Sequence, residues 1–168
     1  MFEAVSCRHL VPIAPADLGD VSAGISVHLQ RWLLHWFPEL GGIPLAYTRW
    51  SVISGDQSSA AILDDNPCIH VAVSVDWVLF VPEVGSKVTG VVSITGPEHV
   101  GVLVLGKFSA TVRAASMAAF ARYDPDIEAW VQRGTGTVLS SGATVDFVIV
   151  AIAVNQGEVS FDGSIDSI

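Results

Sequence analysis

Apolar positions in the first half of the chain recur at two different periods. In "VSAGISVHLQRWLLHWF" they fall three and four residues apart, and Val21, Ile25, Leu29, Trp32 and Trp36 share one stripe. That spacing predicts a helix, with Asp17 or Asp20 as its N-cap and Pro38, Gly41 and Gly42 as its end. Leu33, Leu34 and Phe37 widen the apolar surface past one face. In "CIHVAVSVDWVLFVP" the period drops to two. Ile69, Val71, Val73, Val75, Trp77 and Leu79 point one way, and His70, Ser74 and Asp76 the other, which predicts a strand. "IPLAYTRWSVI" reads as a second strand. The opening residues alternate loosely until Pro12 and Pro15, which are expected to break any regular element. Residues 1–81 therefore read as a small α+β domain, an antiparallel sheet with one covering helix.

After the turn "PEVG" the pattern changes. Strands are expected at Val88–Ile94, Val100–Leu105 and Phe108–Val112, separated by glycine-bearing turns. The alanine-rich "AASMAAFARYDPDIEAWVQRG" is expected to be mostly helical or irregular, broken at Pro125, and "TGTVLSSG" to be a flexible loop. "ATVDFVIVAIAV" and "EVSFDGSI" supply two more strands around Asn155-Gln156-Gly157. Three strands, an insertion and two strands make a five-stranded Greek-key OB barrel over residues 82–168. The fold class is thus α+β in two domains, 1–81 and 82–168.

Composition sharpens this picture in two ways. Hydrophobic residues make up 51% of the 168 and charged ones 15%. With a mean hydropathy of +0.53, some apolar surface is expected to meet a partner. The longest wholly apolar run, "FVIVAIAV", is far short of the ~20 residues of a spanning helix, so no membrane association is expected. "MFEAVSCRHLVP" carries Glu3 and no apolar core of the signal-peptide kind. The net charge of −9 is spread over both halves, which argues against autonomous duplex DNA binding.

Chemistry is sparse. Cys7 and Cys68 are far apart and outside any CxxC context, and are expected as buried thiols of an intracellular chain. Cys68, His70, Asp64 and Asp65 lie close in sequence without a ligand pattern that calls for a metal. His9, His28, His35 and His99 are scattered. No nucleophile elbow or phosphate loop is present, so no catalytic residues, cofactor or metal are expected. Phe108, with Lys107 before it and Arg113 after it, is the best strand-borne aromatic with basic neighbours, and Lys87 starts the first barrel strand. Such groups would contact single-stranded RNA, while Phe108 as a core residue stays an equal alternative. Trp32, Leu34 and Trp36 on the broad apolar helix are candidates for a subunit interface, against burial in the sheet.

Four stretches together resemble the larger stalk subunit of multi-subunit RNA polymerases, a family spanning eukaryotic polymerases I, II and III and the archaeal enzyme. They are "MFEAVSCRHLVPIAPADLG", "GGIPLAY", "VDWVLFVPEVGSKVTGVVSITGPEHVGVLVLGKFSATV" and "EVSFDGSI". The third is most similar to the polymerase I version, while the compact length is more like the polymerase II form. The resemblance implies a non-catalytic subunit whose N-terminal tip domain docks on the polymerase core and whose S-one-type OB barrel stands outward. It implies as partners the core subunits, a smaller stalk subunit, an initiation factor and nascent RNA, with a nuclear location, nucleolar for polymerase I. By position, Gly55, Asp56, Gln57, Ser58, Ser59, Asp64 and Asp65 fall in the loop that meets the core. Lys87, Lys107, Phe108 and Arg113 fall where RNA contact is expected. The reading from another class is a free-standing OB-fold RNA-binding protein.

Overall fold

The computed structural model describes residues 1–53, 60–62 and 67–165, and they divide into two compact units, Met1–Val81 and Pro82–Ile168. The first is a four-stranded antiparallel sheet. Strand β1 (Phe2–Ile13) is followed by helix α1 (Val21–Gln30), β2 (Ile43–Val52), β3 (Ala60–Ile62) and β4 (Ile69–Phe80). The order is β1-β4-β2, and β3 continues the β2 side of β4 by pairing Ala60–Ile62 with Val71–Ile69. β4 is central because its alternation suits a strand covered on one face. Val71, Val73, Val75, Trp77 and Leu79 form the core with Val11 and Ile13 of β1 and Ile25 and Leu29 of α1. Burying each aliphatic side chain contributes about 1.5–3 kcal/mol.

Pro12 does not stop β1. The strand runs through it to Ile13, pairing Pro12 with His70, because β1 is an edge strand and a proline costs no ladder bond on its open side. Helix α1 starts as expected, with the Asp20 carboxylate accepting from the Ala23 N–H at 2.9 Å. It ends at Gln30, seven residues before Phe37, where the stripe predicted its close. Arg31, Trp32 and Leu33 each bond three residues back, and Leu34 turns to φ +64°, with its N–H on the Pro44 carbonyl at 2.8 Å. A left-handed residue cannot continue a right-handed helix. Trp32, Leu34 and Trp36 therefore do not share a helix face.

The second unit is a closed barrel of β5 (Lys87–Thr95), β6 (His99–Val104), β7 (Phe108–Arg113), β11 (Thr144–Asn155) and β12 (Glu158–Ser164), ordered β11-β12-β7-β6-β5. All pairs are antiparallel except β12 with β7. This is the expected OB-like barrel. Val88, Val92, Val102, Val104, Phe108, Ala110, Val112, Phe147, Ile149 and Phe161 are all buried. At Gly163 the wall is too close for a side chain, since a Cβ there would fall on the Phe147 ring. The β11–β12 hairpin turns at Gln156 (φ 50°) and Gly157 (φ 85°), the paired positive angles of a tight two-residue turn.

Between β7 and β11 the chain departs from expectation. A four-residue helix α2 (Ala114–Met117) leads into β8 (Ala121–Asp124), β9 (Ala129–Gln132) and β10 (Val138–Leu139), a small antiparallel sheet. The alanines favour a helix, but Trp130 decides the packing. It is 4% exposed, meets Tyr123 edge-on at 5.9 Å and donates its indole N–H to the Gly96 carbonyl at 2.9 Å. "TGTVLSSG" is drawn in as well, since Val138 and Leu139 pair with Val131 and Trp130.

Candidate functional site

The four residues expected to contact RNA do not form one patch. Antiparallel pairing of β5, β6 and β7 sets Lys87 and Lys107 at one end of the barrel and Arg113, opposite His99, at the other. Six residues of extended chain separate Lys107 from Arg113 by roughly 20 Å. Two of the three cations already hold acids, with Lys87 3.1 Å from Asp146 and Arg113 3.4 Å from Asp162. The Thr89 hydroxyl also donates to Asp146 at 2.6 Å, and this bond and the Lys87 partner hold that carboxyl below its ordinary pKa. Phe108 is 3% exposed and packs edge-to-face on Phe161 at 6.5 Å. Its ring serves the core rather than the surface, because residue 108 takes the inward phase of β7 and Ser109, Thr111 and Arg113 the outward one. The outer face of β5 to β7 thus offers hydroxyls, the aliphatic Val91 and Ile94, the exposed His99 and the cations Lys87 and Arg113, with no exposed Phe, Tyr or Trp ring for a base to stack on.

A cleft of about 560 Å³ lies beside Arg113, bordered by Ala115, Ser116, Val150, Asp162 and Ser164. Its charged groups are the Arg113–Asp162 pair, so an incoming phosphate would have to compete with Asp162.

The first unit carries a second cleft, of about 620 Å³, between Arg8, His9, Leu10, Trp32, Phe37 and Glu39. Trp32 stacks on Phe37 with centroids 4.9 Å apart and meets His9 edge-on at 4.7 Å. His9 is 8% exposed. Its Nε2 accepts the Trp77 indole N–H at 3.0 Å and lies 3.1 Å from the Cys7 sulfur, so the neutral ring carries its proton on Nδ1. Burial pushes its pKa below the ordinary histidine value, against an opposing pull from Glu39, and raises the Cys7 thiol. Sequence reading missed this cleft. The signal was His9 standing in phase with Val11 and Ile13 on the inward face of β1.

Of the proposed interface residues, Trp32 is half-buried and packs on the core, Leu34 is 37% exposed, and Trp36 is half-exposed. Gly55, Asp56, Gln57, Ser58, Ser59, Asp64 and Asp65 lie outside the described residues. His70 is half-buried, its Nδ1 has no hydrogen-bond partner among the described residues, and Cys7 and Cys68 form no disulfide. Among the described residues no group of three or more His, Cys, Asp or Glu is placed to hold a metal. No described helix is long and apolar enough to cross a membrane.

A nearly complete match to a curated protein gives these features a context. The chain is 28% identical over 157 residues to the DNA-directed RNA polymerase I subunit rpa43 of Schizosaccharomyces pombe, covering 91% of this chain and 89% of that protein. The expected likeness to the polymerase I version holds. The human RNA polymerase I subunit RPA43 is 36% identical over 107 residues, 62% of this chain and 30% of its own length. The probable RPA43 of Dictyostelium discoideum is 24% identical over 162 residues, 96% of this chain and 45% of its own. The chain thus spans most of the fission yeast protein but less than half of the other two. No protein-family model matches the chain. Among solved structures, the apo form of Mycoplasma genitalium RNase R overlaps 48% of this chain and 13% of that one at 12% identity, with a TM-score of 0.39.

Proposed function

We propose that the chain is a non-catalytic, stalk-type subunit of nuclear DNA-directed RNA polymerase I, nucleolar in location. Residues 1–81 form the domain that docks on the polymerase core, and residues 82–168 form the outward OB domain. The chain holds a smaller stalk partner and offers surface to an initiation factor or to emerging RNA. The observation that carries this reading is the match along 91% of the chain to a polymerase I subunit of nearly the same length. The exposed Leu34, Val27 and Leu18 are consistent with a permanent partner on the first unit.

RNA contact is the weaker part of the role. With Phe108 inside the barrel and Lys87 and Arg113 paired to acids, the surface favours shallow, salt-sensitive contact. The free-standing RNA-binding reading needs a platform of Phe, Tyr or Trp rings that the outer faces of β5 to β7 do not present.

Sedimentation of the native chain from its own cells tests the assignment. The chain should migrate with polymerase I subunits in a large complex. Migration as a free 17.7 kDa protein would sink the proposal.

A further inference from the structure

Strand β11 outruns its barrel. It pairs with β5 over Thr144–Val148, while its pairing with β12 continues to Asn155. The register with β12 shifts between Ile149 and Ala151, leaving Val150 as an extra bulged residue. From there to Asn155 no described strand pairs with the outer edge of β11. The two-residue turn makes Asn155 and Glu158 a hydrogen-bonded pair, so the alternation bonds Ala153 to Ser160 and Ala151 to Asp162. The backbone N–H and C=O groups of Ile152 and Val154 therefore face the open edge.

Among the described residues, that edge lacks the usual protection. Proteins blunt open edges with lysine, proline or covering segments, yet Val150-Ala151-Ile152-Ala153-Val154 carries no charge and no proline. Val150 is 55% exposed and Val154 46%. Next to this edge the Gly85 N–H bonds to the Ile149 carbonyl at 2.7 Å, and neighbouring Val84 is 64% exposed. The hairpin has acids at Glu158 and Asp162 and no Lys or Arg of its own; Asp162 is held by Arg113, which leaves Glu158, with Glu83 near the hairpin's base, as the acids that face an incoming strand.

We propose that the open β11 edge, Val150 to Val154, receives an extended basic segment of another protein chain as an added strand. Unpaired backbone groups at a strand spacing select an extended occupant. The apolar run selects one with alternating apolar side chains, and the acids select flanking Lys or Arg. A second copy of this chain is disfavoured, since each copy would bring the same acids and a net charge of −9. The inference stands apart from the polymerase assignment, because the edge is a property of the barrel alone.

Amide hydrogen exchange on the full chain tests it, with a synthetic seven-residue peptide of alternating valine and threonine and a lysine at each end. The peptide should slow exchange at the Ile152 and Val154 amides at least tenfold. A peptide with alternate backbone amides N-methylated, or with glutamate at each end, should not. Val154→Pro removes one outward N–H without breaking a hairpin bond and should abolish protection, and Val154→Lys should weaken it while keeping the backbone donor. No protection at millimolar peptide, or equal protection by the methylated peptide, would overturn the proposal. So would a dimer of the chain alone that Val154→Pro dissociates, since the occupant would then be a second copy.

Discussion

Trp77 donates its indole N–H to Nε2 of His9, so a proton placed on that nitrogen would meet another donor. His9 and His28 both titrate below the ordinary histidine range because burial disfavours the imidazolium, with nearby Arg31 adding to the effect at His28. Glu39 pulls the other way at His9 without reversing the direction. The unfolded chain therefore binds protons that the folded chain refuses. Stability contributed by these rings is complete above the unfolded value of about 6.5 and is lost as pH falls through the lower folded values. Denaturant titrations followed by tryptophan fluorescence should show a lower midpoint at pH 5 than at pH 8. An unchanged or higher midpoint would contradict the neutral-histidine account, and His9→Phe should also lose stability at pH 8 by leaving the Trp77 donor unpaired. Leu34 is a separate residue-scale case. Its left-handed backbone costs a non-glycine residue about 1–2 kcal/mol. Leu34→Gly should preserve or raise stability in a thermal melt, yet weaken assembly if the exposed side chain meets a partner. Unchanged assembly would remove Leu34 from the interface.

At the scale of elements, legibility followed how locally each was determined. β4 and the barrel strands were readable because alternation and turn residues agree with the final packing. The start of α1 was readable from Asp20, whose side chain caps the helix. Its end was not. The stripe through Trp32 and Trp36 suggests a longer helix, but an N–H···O bond from Leu34 to Pro44, a non-local contact, bends the chain away. The insertion failed for the same kind of reason: alanine propensity is a weak local preference, and Trp130 tied to Gly96 outweighs it. Phe108 was ambiguous because lysine and arginine neighbours suit a surface site, while strand phase buries the ring. The closing of β11 and β12 over Gly163 yields a prediction of its own. Gly163→Ala would force a methyl into the Phe147 ring and should destabilise the barrel by about 1–3 kcal/mol, read as a shift in the denaturation midpoint. A variant as stable as the parent would mean the wall is looser than the packing indicates.

For the whole molecule, the proposed stalk role rests on the match along 91% of the chain to a polymerase I subunit. Its acidic balance and distributed cations set limits on nucleic acid. Lys107→Glu with Arg113→Glu should reduce RNA affinity by no more than a modest factor, because the two charges lie at opposite barrel ends and Arg113 already serves Asp162. The effect should shrink further with added salt, and assembly should be intact. Loss of assembly in this variant would place those residues against a protein. The polymerase assignment itself is tested most directly by affinity purification of the tagged chain from its own cells in moderately high salt, with every co-eluting chain identified by mass. The account predicts recovery of the two largest polymerase I subunits together with a small partner in equal amount to this chain. Recovery of RNA without polymerase chains, or of the chain alone, would contradict it.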